Sequence, residues 1–405
     1  MIIYVFNHEF PDSSGFAKRC QREIETLSKV DEIIVICRKN STTLDTSELP
    51  TSKHTTLIKR FGAQSKVVHR PENYKPNGLY EIRRNLDILL GLSLTLISVI
   101  RNNSQKKIQI VSVTSPLTVP TLCFFIAKLF RVDAALVSFH DLEPEMAMHM
   151  KHLKKNDWLM KVEFMLENLV CRGYRKILVT SVTQATVISQ RNGLNKNKVC
   201  VIPNTTNASN LLTTSRSKDP FLKSGFIVSY MSSLSFDYTV EGLMDFLKEM
   251  SKQLNTLQGV KIAVIGGGEA LQSLKSLVSE IHLEGNVKIF GKVENPFSIL
   301  NASNAAIIPW KKNVMTENIL PTKLLEYLQV GLPVVVPKFG EFERLLVDKK
   351  TALFYNSVTE SVSQLRLLIT DTSLRRNIGI SGKKLYHSSF EPDTLNKEFL
   401  TFYKR

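Results

Sequence analysis

Leu320-Pro-Thr-Lys323-Leu-Leu-Glu326-Tyr-Leu-Gln-Val-Gly-Leu-Pro-Val-Val-Val-Pro337 is the stretch on which the reading turns. Pro321 suits the first turn of a helix, where its missing N–H is not needed. Backbone amides from Thr322 onward would then point at an anion, and Lys323 would add charge. Lys323 and Glu326 lie three residues apart and share one helix face, a phosphate-seeking cation beside a carboxylate able to accept hydrogen bonds from hydroxyls. The plain alternative is a surface ion pair. After the helix, Pro333 to Val336 reads as a strand.

Outward from there, short β-rich apolar runs alternate with longer helical patterns. Strands are expected at Ile2 to Phe6, Ile33 to Cys37, Ile108 to Val113, Ala134 to Phe139 and Lys176 to Thr180. In the second half they fall at Phe226 to Met231, Lys261 to Ile265, Val287 to Phe290, Ala305 to Pro309 and Pro333 to Val336. Such alternation is the pattern of parallel sheets covered by helices. At 405 residues the chain exceeds one ordinary core, so two doubly wound α/β domains are expected. Their bounds are read as 1–205 and 223–386, with a polar linker over 206–222 and a closing helix in 387–405 that returns to the first domain. In open α/β sheets ligands sit outside the carboxyl ends of the strands, which places function in the loops there and, for two facing domains, in a cleft between them.

Charge and cysteine usage narrow the classes. The net charge is +16, of which residues 1–200 hold +11; residues 51–107 carry 11 basic and 3 acidic side chains, among them Arg83, Arg84, Arg101, Lys106 and Lys107. These surround the apolar run Ile88 to Ile100, too short to span a bilayer. A basic segment around an apolar helix suits an anionic membrane surface; a solvated basic face is the other reading. Nucleic acid is disfavoured, because the basic residues lack interleaved aromatics. Five scattered cysteines without CxxC spacing point to a reducing cytoplasm, and no His/Cys spacing calls for a metal. The N-terminal MIIYVF reads as a first strand, with no basic leader and no cleavage site.

Two further loops carry chemistry. Pro11-Asp-Ser-Ser-Gly15 precedes a helix running to Ser28, and a glycine there permits close approach of a phosphate or simply a turn. His140-Asp-Leu-Glu-Pro-Glu145 follows a strand; its carboxylates favour a helix N-terminus, whereas His140 could contact a sugar or polarise a leaving group.

Taken together these residues resemble the retaining glycosyltransferase family 4, of GT-B fold. The family's "LPNKLLEYMA.GKPVV" is matched by Leu320 to Val335. Its "IVGGG", "F.G.V" and "A...I.P" are matched by Val264 to Gly268, Phe290 to Val293 and Ala302 to Pro309. Its "P..SG", "HDL.PE" and "VIPN" are matched by Pro11 to Gly15, His140 to Glu145 and Val201 to Asn204. The resemblance spans residues 1 to about 385. It implies a nucleoside-diphosphate sugar as donor and a lipid-linked or polysaccharide acceptor, with retention, no metal and no other cofactor; the basic charge and the Ile88 to Ile100 run add the cytoplasmic face of a membrane. Carried over by residue, Glu326 binds the ribose; Pro321, Thr322 and Lys323 hold the diphosphate, with Gly15 approaching it. Gly291 to Val293 line the base, Ser232, Ser233 and Gly268 belong to the donor loops, and His140 sits by the sugar.

Two positions depart from the pattern. The acidic residue expected eight places before Glu326 is Asn318, with Glu317 beside it. The basic pair expected after the first strand of the second domain is absent from Ser232 to Gly242, so the diphosphate charge falls to Lys323, helix dipoles and Lys311 or Lys312. A nucleotide-sugar 2-epimerase, or a binding protein without turnover, are the competing functions.

Overall fold

A computed structural model describes residues 1–10, 15–38, 56–61, 86, 88–151, 156–206, 214–235 and 237–405. Internal packing divides the chain into two compact units, residues 1–203 with 396–405, and residues 204–395. Pro11 to Ser14, Arg83 and Arg84 lie outside the described residues.

The first unit is a parallel sheet ordered β3-β2-β1-β4-β5-β6-β7 among the described residues. Its strands are β1 Ile2–Glu9, β2 Ile33–Arg38, β3 Thr56–Phe61, β4 Gln109–Val113, β5 Asp133–Ser138, β6 Lys176–Val179 and β7 Val199–Val201. Continuous apolar runs such as Ile2 to Phe6 and Ile33 to Cys37 are fully or nearly fully buried, as strands covered on both faces require. The covering helices are α1 Gly15–Leu27, α2 Ser93–Asn102, α3 Thr118–Phe130, α4 Glu143–Lys151, α5 Trp158–Gly173 and α6 Val182–Asn192. A wide turn, Ile88–Leu92, leads into α2.

In the second unit the order is β10-β9-β8-β11-β12-β13, again all parallel. Its strands are β8 Phe226–Met231, β9 Val260–Ile265, β10 Val287–Gly291, β11 Ala305–Ile307, β12 Val334–Pro337 and β13 Leu353–Tyr355. Helices α7 Asp237–Lys252, α8 Leu271–Glu280, α9 Phe297–Leu300, α10 Thr322–Val330, α11 Gly340–Leu345, α12 Val358–Thr370, α13 Thr372–Ser389 and α14 Pro392–Lys404 complete the chain. Both sheets are Rossmann-like and doubly wound. Strand order reverses between β1 and β4 in one and between β8 and β11 in the other, which fixes where each can receive a ligand.

The described part of the 206–222 segment is tied to the second unit. Thr206 hydrogen-bonds Gln329 and Tyr386, both at 2.6 Å, and Asp219 pairs with Lys288 at 2.7 Å. From Asn396 onward the terminal helix belongs to the first unit. Phe399 and Tyr403 are buried, the Lys176 ammonium donates to the Phe402 and Tyr403 carbonyls, and Tyr403 Oη donates to Gln109 at 3.1 Å.

Candidate functional site

At the switch point of the second sheet the loops after β8 and β11 meet the start of α10. Two glycines in the loop after β9 bring that loop against the one after β8. Gly266 and Gly268 have φ of +144° and +152°, and a Cβ on either would collide with the β8 loop, at Ser232 and at Leu234–Ser235 respectively. Only glycine adopts that backbone freely. The two loops can therefore zip together, Ser232 N–H donating to Ile265 O and Leu234 N–H to Gly267 O, both at 3.0 Å.

Helix α10 begins with Pro321 at its N-cap, one position before the first turn expected, and no side chain caps it. A proline cap has no side-chain acceptor to offer, so the helix presents its first amides and the positive end of its dipole. The half-buried Lys323 donates to Ser232 Oγ at 2.5 Å, with its ammonium 4.9 Å from the Trp310 ring centroid and 5.9 Å from that of Tyr230. Burial draws its pKa down to about 7, against the opposing pull of Glu326. At that value the amine is only partly charged at neutral pH, and a neighbouring anion would restore its charge. Glu326, half-buried, follows on the same helix face.

Other expected residues are placed differently. Lys311 is held by Asp245 at 2.8 Å and Glu241 at 3.2 Å, and Lys312 by Glu317 at 3.0 Å. These are exposed ion pairs, of a kind worth about 0–1 kcal/mol. Asn318 donates to Val314 O at 2.8 Å, capping its own turn. Ser233 is exposed, and its carbonyl accepts from Thr239 Oγ1 at 3.0 Å. Val293 packs half-buried against the core beside Phe290. Sequence reasoning missed Trp310 and Tyr230 as partners of Lys323, since both are distant in the chain. The one local signal was Pro309-Trp310, an aromatic at a strand exit.

The first unit has its own cluster. A Cβ on Gly15, the first residue of α1, would meet open space. His140, just past β5, is buried, its Nε2 3.9 Å from Glu23 Oε1 and without a hydrogen bond. Its ring lies 4.5 Å from Phe16. Burial, then Arg19, Arg22 and His8, push its pKa well below the usual imidazole range, so it is neutral. The buried Glu23 anchors this cluster by accepting from Tyr4 Oη at 2.8 Å and Ser138 Oγ at 2.9 Å and by pairing with Arg19 at 2.9 Å. Burial raises Asp141 to about 6. Glu145 turns away from this cluster to Arg191, which also pairs with Glu167 at 3.0 Å, making it part of the packing between helices. Among the described residues no group of three metal-binding side chains converges.

Residues 213–385 match the family described as Glycosyl transferases group 1. The N-acetyl-alpha-D-glucosaminyl L-malate synthase of Bacillus anthracis is 21% identical over 166 residues, which cover 40% of this chain and 42% of that protein's own length. Over nearly the whole chain the fold is similar to that of the Anabaena protein HepE in complex with UDP, with a TM-score of 0.69 and 14% identity, covering 99% of this chain and 98% of that one. The sucrose-phosphate synthase of Thermosynechococcus elongatus is similar at a TM-score of 0.73 and 15% identity, covering 100% and 98%. The two units therefore have the GT-B type of fold, and residues 213–385 of the second form a glycosyl transferases group 1 domain.

Proposed function

We propose that this chain is a retaining glycosyltransferase that moves a sugar from a nucleoside-diphosphate sugar to a lipid-linked or polysaccharide acceptor in cell-surface glycan synthesis. One observation carries the reading: Lys323, desolvated against Trp310 and Ser232 at an uncapped helix start, with Glu326 on the same face. The diphosphate is assigned to Lys323 and the amides of Thr322 and Lys323, and the ribose to Glu326. Ser232 and the turn at Gly268 shape the loop beside it, and Val293 lines the base. The family match and the UDP held by a protein of similar fold support a nucleotide-sugar donor. In the first unit the reading gives His140 a place by the transferred sugar as a neutral hydrogen-bonding group, and Gly15 an approach to the diphosphate. Asn318 and Glu317 take the place of the family's acidic residue near the sugar. Transfer proceeds without a metal ion, on the cytoplasmic face of a membrane with anionic lipid, and a chelator leaves the rate unchanged.

The test is a thermal-shift and calorimetric screen with UDP-, GDP-, dTDP- and ADP-sugars, followed by turnover with the nucleotide that binds. Lys323→Ala should weaken that nucleotide by about 1.5–3 kcal/mol, the range of a charge-assisted hydrogen bond. Unchanged affinity in this variant overturns the assignment of Lys323. Binding without transfer to any acceptor favours a binding protein, and an epimerised nucleotide sugar formed without acceptor favours an epimerase.

A further inference from the structure

Three neighbouring helices of the first unit carry apolar stripes that no core accounts for. Helix α3 packs between α2 and α5, so closely to α5 that a Cβ at Gly173 would meet the Phe124 ring at 2.6 Å. Each helix already buries an inward face in one shared core, through Leu96, Val99, Val119, Cys123, Val170 and Cys171. On their outer sides, Leu94 with Leu90 of the turn before α2, Phe125 and Leu129, and Trp158 and Met165 recur at helical spacing and face solvent. Leu94 is 70%, Leu129 74% and Trp158 71% exposed. A surface helix ordinarily has one apolar face, and large exposed apolar patches mark interaction sites.

We infer that this outer face of α2, α3 and α5 is the surface by which the chain lies on an anionic lipid bilayer, with the apolar stripes entering the headgroup boundary. Charge singles out this partner. Helices α2 and α3 contain Arg101 and Lys128 and no carboxylate, while α5 has Lys161 and Arg172 against a half-buried Glu163 and a buried Glu167 that pairs with Arg191. Arg101, Lys128 and Lys161 are exposed, and residues 1–200 hold +11 of the chain's +16. Apolar side chains on helices that also expose cations match the boundary between acyl chains and anionic headgroups. No described helix is long and apolar enough to cross a membrane, so the contact is a surface one. The inference deepens the membrane element of the proposed function and does not depend on the sugar chemistry.

Trp158 makes a direct test possible, because the other tryptophan, Trp310, is buried. The full chain is mixed with vesicles of phosphatidylcholine alone or of phosphatidylcholine and phosphatidylglycerol in equal parts. Flotation and tryptophan emission are then read. Flotation with the mixed vesicles alone is expected, with a blue shift of emission that Trp158→Phe abolishes while flotation persists. The double variant Leu94→Glu/Leu129→Glu should lose about tenfold or more in vesicle partitioning. Its affinity for a nucleotide sugar without vesicles, measured by calorimetry, should match that of the unsubstituted chain, so a failure of the donor assignment shows separately. Absence of flotation, flotation without the Trp158 shift, or unchanged partitioning of the double variant overturns the inference. So does a dimer that the double substitution converts to monomer while the unsubstituted chain ignores vesicles, which would make a second copy the occupant.

Discussion

Lys323 pays for its position in the free protein. Its folded pKa of about 7 lies below the ordinary lysine value of 10.5, so between these limits the unfolded chain binds the extra proton. Stability then rises with pH across that window and is lost as pH falls through 7. Lys323→Met should flatten this slope, read as the difference between the two chains in denaturant midpoints from pH 7 to 10. An equal slope in both would show that the ammonium is solvated. The same desolvation makes nucleotide binding a proton-uptake reaction. A diphosphate beside Lys323 restores its charge, so heats of binding above pH 7 should depend on the buffer's ionisation enthalpy in the unsubstituted chain and not in Lys323→Met.

Among the elements, α7 and the loop after β11 form a joint that no side chain can enter. Gly242 sits mid-helix, where a Cβ would run into the Pro309 carbonyl. This close approach sets Trp310 beneath Lys323. Gly242→Ala, ordinarily favourable within a helix, should here destabilise by about 1–3 kcal/mol through overpacking. It should also weaken nucleotide binding, measured by calorimetry, because Trp310 shifts. A neutral or stabilising result would mean that the loop yields without moving the ring. Element by element, the ten strands expected from apolar runs are all present, because strands buried on both faces are nearly continuous in Val and Ile. Three escaped: β7 and β13, three residues each, and β3, whose apolar run is broken by Lys59 and Arg60. The helix-start residues of the candidate site were legible because Pro321, Lys323 and Glu326 are local. Ser232 came only through the family resemblance, and Tyr230, Trp310 and the pairing of Lys311 with Asp245 were not legible, since sheet order alone brings them together.

For the whole molecule, the two units differ in how their chains are closed. The second is continuous, whereas the first takes its last ten residues from the far end. Removing residues 396–405 strips Phe399 and Tyr403 from that unit and leaves Lys176 without its carbonyl partners. Loss of two large buried side chains costs several kcal/mol at about 3–5 each. The truncated chain should show a lowered melting transition for the first unit and an unaltered one for the second, resolved by hydrogen exchange on peptides from each. An order of events during synthesis follows. Residues 1–203 leave the ribosome long before the piece that seals them, and at about 5–20 residues per second the delay is roughly 10–40 s. During that interval β4 and β6 await their partner helix while the second unit is still being made, so the nascent chain is at its most vulnerable to protease and chaperone capture in its first half.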